Sequence, residues 1–529
     1  MYRSPNGDVE GGVRTGTPVD VPDVTVVIAV YNTMPYLTQC LRSLVDQSIG
    51  LSRMEIIAID DGSNDGSGEE LDNWAERYPD TLTVRHESGT GGPAAPSNHA
   101  LTLATGRYVF FVGADDHLGT EALERLVTAA DDLDADIVLG RAVGVAGRYV
   151  HQAVYARGNR DDITLADSAL SWSLSNTKLF RRSMVEEHGI RFPEDLKAGS
   201  DQPFTLRAIA AARRIAVRAD YDYYYAVRRT DASNITYRTS LAGFLQATAA
   251  IMETVTEVIT DPVARDRVLR RHFSWELGKL LGARFLDADR DQQKIVHEGI
   301  ATLADWYLSD SLRASVAARH RIPLSVAQHG TLDDLLAVVA HQAAHGLTPV
   351  VVEENRLFAA LPGFRDPSRG FPDGWFDLSA DVPRLARSVR LEGLEWGRAG
   401  NGRRSLVVRL HVGLPDLDAV TGGTARVTVG DQPAPLTIGA SVRAELPLAH
   451  LRGKGALPVR FSCTVLGRTY TVAVTGAPPS GLTRVLRRRG LRFATVAVGY
   501  NKKRQLVVRI KPVGPRRVAR WLLARLRRR

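Results

Sequence analysis

Apolar positions in the first 240 residues follow two periods. Val24–Val30 (VTVVIAV) is a nearly unbroken β-branched run, the pattern of a strand buried on both faces. Leu37, Cys40, Leu41, Leu44 and Val45 follow at helical spacing. A second run, Glu55–Ile59, enters DDGSNDGS and then a helix carrying Leu71, Trp74 and Tyr78. Further strands are predicted at Thr81–Val84, Tyr108–Val112 and Asp136–Leu139, with a helix at Glu121–Ala130. Strands alternating with helices predict a mostly parallel sheet covered on both faces. Ligands of such sheets sit at the carboxyl ends of the strands.

From about Ala242 to Gly346 the pattern is helical, as in LLAVVAHQAAHG. From Val389 it changes again. SLVVRLHV, TARVTVG, PVRFSCTV and RTYTVAV, separated by Gly, Pro and Asp turns, predict an antiparallel β-sandwich. The expected organisation is a flexible N-terminus (1–21), an α/β domain (22–240), a helical linker domain (241–346), a β-sandwich (347–482) and a basic tail (483–529). In the tail, LRFATVAV and QLVVRI flank GYNKKR, and Arg516–Arg529 reads as a basic amphipathic helix.

Composition narrows the classes. The chain has 529 residues, 44% hydrophobic and 24% charged, which suits several globular domains. Two cysteines, Cys40 and Cys463, exclude a disulfide framework and a Cys-rich zinc module, so a reducing compartment is expected. No run of ~18 apolar residues predicts a membrane-spanning helix, and the polar first twenty residues do not read as a signal peptide. The net charge of +9 is unevenly placed. Residues 483–529 hold 17 basic residues and no acid, against 51 basic and 59 acidic residues before them. An acidic body with a basic tail points to a polyanionic partner for the tail. No nucleic-acid partner is expected.

Four polar clusters fall where ligands would bind. Asp60–Ser67 (DDGSNDGS) offers a carboxylate for a nucleobase N–H or a sugar hydroxyl, or simply a capped turn. Phe111–Asp116 (FVGADD) places two acids after a buried strand, where a hard divalent ion bridging to phosphates, or an N-cap, would account for them. Gly91–Asn98 (GGPAAPSN) is a loop before a helix N-terminus, which attracts anions. Gly199–Gln202 (GSDQ) opens a helix, with Asp201 as a base or a cap. Neither G-x-G-x-x-G after the first strand nor G-x-x-x-x-G-K-S/T is present, which disfavours a dinucleotide site and a P-loop. A sugar-1-phosphate nucleotidyltransferase would need a Gly-rich basic loop where this chain has YNTMPYL.

VTVVIAVYNTMPYL, DDGSNDGS, FVGADD and SDQ, in this order, resemble an inverting family 2 glycosyltransferase of GT-A fold. GGPAAPSN, SNTKLFRRSMVEEHGIRFPEDLKAGSDQPFTLRA, DYYYAVRR and RRHFS resemble the bacterial wall-teichoic-acid enzymes that glycosylate poly(ribitol phosphate). The resemblance covers roughly residues 22–345 and extends weakly into the β-sandwich.

It implies that Tyr31 and Asp61 contact the uracil of a UDP-sugar, with Asn98 near the diphosphate. Asp115 would sit on the ribose, on Mn²⁺ or Mg²⁺, or on both, with Asp116 beside it as a metal ligand. Asp201 would be the catalytic base, with an ordinary aspartate pKa of ~3.9. Arg228, Arg271 and His272 would bind an anionic glycopolymer acceptor, helped by Arg229, Arg267 and Arg270. The chain departs from the family at Gly113 for an Asp, Ser97 for an Arg and Ser200 for a Glu. Those departures motivate an alternative, a catalytically impaired polymer-binding or scaffold protein. The implied activity is transfer of a GlcNAc-like hexose to a teichoic-type polyol phosphate at the cytoplasmic face of the cell membrane. Trp521, Leu522, Leu523 and Leu526 would form the apolar stripe of a peripheral anchor. The C-terminal domains are also a candidate homo-oligomer interface.

Overall fold

The computed structural model describes residues 21–230, 239–398, 404–439, 441–451, 455–476, 485–489 and 492–514. The expected amphipathic helix at Arg516–Arg529, with its apolar stripe, lies outside the described residues. The chain divides into two compact units, Met1–Leu280 and Leu281–Arg529.

The first unit is built on a seven-stranded sheet. Its strands and helices are, in order, β1 (Val24–Val30), α1 (Tyr36–Val45), β2 (Met54–Asp60), α2 (Ser67–Arg77), β3 (Leu82–His86), α3 (Ala94–Leu103) and β4 (Tyr108–Gly113). There follow β5 (His117–Leu118), α4 (Ala122–Leu133), β6 (Ile137–Gly140), β7 (Ala142–Val145), β8 (Leu179–Arg181) and α5 (Arg182–Glu187). The last are α6 (Asp201–Ala211), β9 (Ile215–Arg218), β10 (Tyr224–Val227), α7 (Leu241–Val258) and α8 (Pro262–Arg271). The sheet order is β3-β2-β1-β4-β8-β6-β9. β3, β2, β1 and β4 run parallel, and β8 is antiparallel to both its neighbours. β1 and β4 are buried almost throughout because each lies between two strands and under helices on both faces. β1 has the predicted ends, and the other predicted elements appear with ends shifted by a few residues, as expected where caps set the ends. A small sheet, β5-β10-β7, has the DYYYAVRR segment as its central strand.

α7 packs against α6, the helix that opens with Asp201. The compact division therefore falls after Leu280.

The second unit contains helices Arg290–Tyr307, Ala318–His329 and Leu332–His345, which pack on one another. Beyond a hairpin of Val350–Glu353 and Arg356–Ala359, the predicted antiparallel region forms two sheets. One has four strands: Val389–Arg398, Arg404–Val412, Val442–Pro447 and Leu436–Ile438. The other has seven, and includes Val485–Arg489, Arg492–Tyr500 and Leu506–Val513. Leu506–Val513 pairs with the start of Gly455–Val465. The first part of the basic segment is thus built into a sheet and is not a free tail.

Candidate functional site

β2, β1 and β4 are parallel neighbours, so their carboxyl ends lie side by side. This register gathers Tyr31, Asp61 and Asp115 from distant parts of the chain. Tyr31 is 52% exposed, an available aromatic face at the end of β1. Asp61 is buried and accepts hydrogen bonds from the Thr90 backbone N–H (2.7 Å) and hydroxyl (3.0 Å). Lys197 Nζ donates to the Thr90 carbonyl at 2.8 Å. In this arrangement Asp61 organises the loop ahead of α3, and Lys197 locks that loop from outside.

The Asp115–Asp116 pair divides its partners. Asp115 accepts from Arg229 Nε at 2.8 Å, and Arg229 Nη1 donates to the Asn32 carbonyl at 3.1 Å. Arg229 therefore ties the end of β1 to the acid after β4. Asp116 accepts from the Tyr224 hydroxyl (2.5 Å) and the Val227 backbone N–H (2.7 Å). Burial, and then the Asp115 charge, push its carboxyl up to about 7. The Tyr224 hydroxyl in turn accepts from the Gly113 N–H at 3.1 Å. A Cβ on Gly113 would stand 2.9 Å from Asp116 Oδ2 and 3.3 Å from the Tyr224 hydroxyl. The departure at 113 thus has a local reason, since an aspartate there would collide with the network holding Asp116.

Asn98 donates to the Phe192 carbonyl (2.9 Å) and Glu194 Oε1 (2.8 Å), and accepts from the Phe192 N–H (2.9 Å). It clamps α3 to the 192–194 segment, beside a cavity of about 620 Å³. That cavity is lined by Asn98, His99, Arg191 and Glu194 among others, and by none of Asp61, Asp115 or Asp201.

The base candidate stands on a different scaffold. Gly199 takes φ +78°, a conformation that favours glycine, and α6 begins two residues later. α6 leads by a short loop into β9, so its N-terminus lies toward the carboxyl ends of the parallel strands. Asp201 is the first helical residue and not the cap, and the Ser200 side chain makes no capping bond. Burial raises the Asp201 carboxyl, opposed by Lys178, Arg271 and its own helix-terminal amides. This corrects the expectation of an ordinary pKa. Lys178 is fully buried, with its ammonium on the Ser175 carbonyl. Burial pulls it down to about 7, against the pull of Asp201.

Behind Asp201, a π-helical turn at His272–Glu276 folds Glu276 back onto Arg271. Arg271 Nη1 lies 2.9 Å from Glu276 Oε1, 2.7 Å from Gln202 Oε1 and 3.1 Å from His272 Nε2. His272 Nδ1 meets the Val268 carbonyl at 2.8 Å. Burial, then Arg271, hold this imidazole down at about 3, so it stays neutral. Having no exposed surface, His272 positions Arg271 and touches no ligand in this arrangement. Arg271 is itself buried, Arg270 is exposed, and Arg228 is exposed. Among the described residues, no bond joins Arg228 to Arg271 or His272. Arg229, and not Arg228, reaches the carboxylates.

Side chains that sequence reasoning missed cluster near this end. His151 stacks on Trp172 (4.7 Å, 14°), Trp172 meets Trp275 edge-on (6.4 Å), and Tyr149 lies 5.7 Å from Trp275. Lys279 Nζ stands 4.6 Å from the Trp275 ring centre. Arg148 is near enough to Asp116 and to Lys279 for its charge to act on both. Exposed Tyr149 and Trp275 were the available signal, but nothing in the spacing joins residues 149, 172 and 275.

Among the described residues, no three His, Cys, Asp or Glu side chains converge as a ready-made metal cage. Magnesium is commonly held by one or two carboxylates plus substrate phosphates and waters. Asp115 suits such a one-carboxylate site, whereas Asp116 is committed to Tyr224 and Val227.

Residues 25–189 match the family described as Glycosyl transferase family 2, and residues 241–339 match the Glycosyl transferase TarS linker domain. The poly(ribitol-phosphate) beta-glucosyltransferase of Bacillus spizizenii is 39% identical over 206 residues, covering 39% of this chain and 32% of that protein. The poly(ribitol-phosphate) beta-N-acetylglucosaminyltransferase TarS of Staphylococcus aureus is 31% identical over 258 residues, 47% of this chain and 44% of that protein. The chain thus spans less than half the length of these curated relatives in the matched stretch. The crystal structure of S. aureus TarS aligns with a TM-score of 0.67 over 93% of this chain and 86% of that one, at 20% identity, which shows a shared fold. The structure of S. aureus TarS 1-349 in complex with UDP-GlcNAc aligns with a TM-score of 0.57 and 25% identity, over 66% of this chain and 98% of that one.

Proposed function

From a chain that carries a family 2 glycosyltransferase domain of GT-A fold, and that is similar to the poly(ribitol-phosphate) glycosyltransferases, we propose an inverting hexosyltransferase. It moves a hexose, GlcNAc or glucose in type, from a UDP-sugar to a hydroxyl of a polyol-phosphate polymer. The observation that carries this reading is the strand register that sets Tyr31, Asp61 and Asp115 side by side at the carboxyl ends of β1, β2 and β4, with α6 opening on the buried Asp201 toward the same edge.

In this reading Tyr31 stacks on the uracil, and Asp61 holds the loop that borders it. Asp115 is the carboxylate for Mn²⁺ or Mg²⁺, which supplies charge neutralisation of the departing diphosphate when bound. Arg229 already carries a positive charge to the same carboxylate and shares that task. Asp201 accepts the proton of the acceptor hydroxyl as its oxygen bonds to the anomeric carbon. The bond from that carbon to the diphosphate oxygen breaks, and UDP keeps the electron pair. One carboxylate suffices for such a displacement, unlike the paired carboxylates of most glycosidases. A raised carboxyl pKa makes Asp201 a better base at neutral pH than an exposed aspartate. Tyr149 and Trp275 offer faces to the acceptor chain, and Lys279 and Arg148 offer charge to its phosphates.

No helix among the described residues is long and apolar enough to cross a membrane. Peripheral attachment at the cytoplasmic face through residues 516–529 belongs to the same reading, as does self-association through the C-terminal sheets. The test is a screen of UDP-sugars for UDP release, with and without polyol-phosphate acceptor and with Mn²⁺ or EDTA. Acceptor-dependent release with one UDP-hexose is expected. No release from any UDP-sugar would overturn the reading.

A further inference from the structure

Beyond the transferase site, we propose that the outward face of the seven-stranded C-terminal sheet is a docking surface for a linear, phosphate-bearing polyanion. Only the polymer's identity as the acceptor rests on the reading above.

The first observation is chemical. No Asp or Glu follows Glu445, while 21 Lys and Arg residues do. Not one strand of the seven-stranded sheet contains an acid.

The second is geometric. Along Gly455–Val465, Val459, Phe461, Cys463 and Val465 are buried, and the alternate positions face out. Cross-strand register sets Arg509 opposite Ala456, Thr428 opposite Arg460 and Arg426 opposite Ser462. Lys511 lies opposite Thr495, two residues along from Arg509. Arg426, Arg460, Arg509 and Lys511 are exposed and share this one face. Between them lie Ser462 and Thr471, opposite each other. The face is therefore cations and hydroxyls, repeating every ~7 Å along a strand.

The third is what these cations lack. Among the described residues, none of the four lies within ion-pair distance of a carboxylate. The four-stranded sheet of the same unit differs. There Arg409 meets Glu395 at 3.2 Å, Arg443 meets Glu445 at 3.1 Å and His411 meets Glu392 at 3.8 Å. On the acid-free face, Arg426 donates to the Gly423 and Ala425 carbonyls and Arg509 to the Tyr500 carbonyl. These bonds hold the guanidinium groups in place and leave their charge uncompensated. A sheet face that gathers like charges is unfavourable until an anion supplies the opposite sign.

The occupant follows from what else the face presents. The large apolar side chains exposed among the described residues, such as Trp306 and Val352, lie elsewhere. A bilayer-binding surface would need such wedges beside its cations. Hydroxyls and spaced cations on a flat sheet instead suit a chain with repeated phosphates, to which Arg can bond in bidentate fashion.

The test uses the full chain and the triple variant Arg460→Glu, Arg509→Glu, Lys511→Glu, whose positions are all solvent-facing. Lipid-free poly(ribitol phosphate) is titrated by calorimetry at two salt concentrations. Vesicles of phosphatidylglycerol and phosphatidylcholine are tested in parallel by sedimentation. Polymer affinity is expected to fall at least ~10-fold, with a shallower salt dependence. Transfer to a single-unit acceptor is expected to stay unchanged, which separates this face from the catalytic site. A second variant with Gln at the same three positions, which removes charge without reversing it, is expected to show a smaller loss in the same direction. Unchanged polymer affinity in both variants overturns the proposal. Loss of vesicle binding with polymer affinity intact also overturns it, and assigns the face to a membrane surface. The polymer titration reads out whether or not sugar transfer is detected, so failure of the transferase reading leaves it decisive.

Discussion

The two ends of the proposed site, the donor end at the strand termini and the base end at α6, treat charge differently. At the donor end each carboxylate has a local donor: Thr90 for Asp61, Arg229 for Asp115, and Tyr224 with Val227 for Asp116. At the base end, charged groups are buried with incomplete pairing. Arg271 Nε and Glu276 Oε2 are buried without a hydrogen bond, and Lys178 has been pulled down to about 7. A buried group with incomplete pairing raises the free energy of the fold. Such cost persists where chemistry uses it, because shifted pKa values cluster at functional sites. The donor end is an ordered cradle, whereas the base end holds its charges poised.

Replacing Asp201 breaks that contrast most sharply. Asp201→Asn keeps the shape and removes the basicity. Turnover is expected to fall at least ~10²-fold, with UDP-sugar affinity by calorimetry little changed. Near-normal turnover would remove Asp201 from the role of base.

Lys178 is the next lever. Lys178→Met removes a positive charge that opposes the rise in the Asp201 pKa. The acid limb of the kcat–pH profile is expected to move to higher pH, so activity is lost first on the acid side while the alkaline plateau is kept. The same variant changes stability in a defined direction. Between about 7 and the ordinary 10.5, the unfolded chain binds a proton on Lys178 that the folded chain does not. Stability from this residue therefore rises with pH across that window and is lost as pH falls back to 7. Denaturant unfolding from pH 7 to 10 is expected to show this rise in the wild type and a flatter profile in Lys178→Met. Parallel profiles would show that Lys178 is not buried as described.

The donor end is expected to answer more mildly. Tyr224→Phe removes the hydroxyl that joins Asp116 to Gly113. The expected cost is about 1.5 kcal/mol of stability, the size of a hydrogen bond to a charged group, with turnover reduced only a few-fold. A loss of turnover as large as that of Asp201→Asn would make Asp116 a participant in the chemistry and erase the contrast.

The strands of the first unit were legible because burial on two faces demands continuous β-branched runs, as in Val24–Val30. Asp61, Asp115 and Asp201 stand out as candidates for a related reason. Strand ends and helix starts are where such folds place ligands, so polar clusters there stand out from apolar runs. The same logic failed for Asp116 and His272, whose neighbours Tyr224 and Arg271 bond to them and use up their polar atoms. Nothing in a run of acids or a stretch of basic residues tells which member turns inward.

By itself, the sequence determined the order of elements, the sheet class, the carboxylates at the carboxyl ends of its parallel strands and the absence of acids after Glu445. Each is a local property, set by periodicity or composition within a short window. Tertiary structure alone decided that Arg229 meets Asp115, that Lys178 is buried near Asp201, and that Tyr149, Trp172 and Trp275 form one shelf. It also decided which cations share the outward face of the seven-stranded sheet. These are pairings across long sequence separations, fixed by strand register and helix packing. A one-residue shift in register would send those side chains to the opposite face.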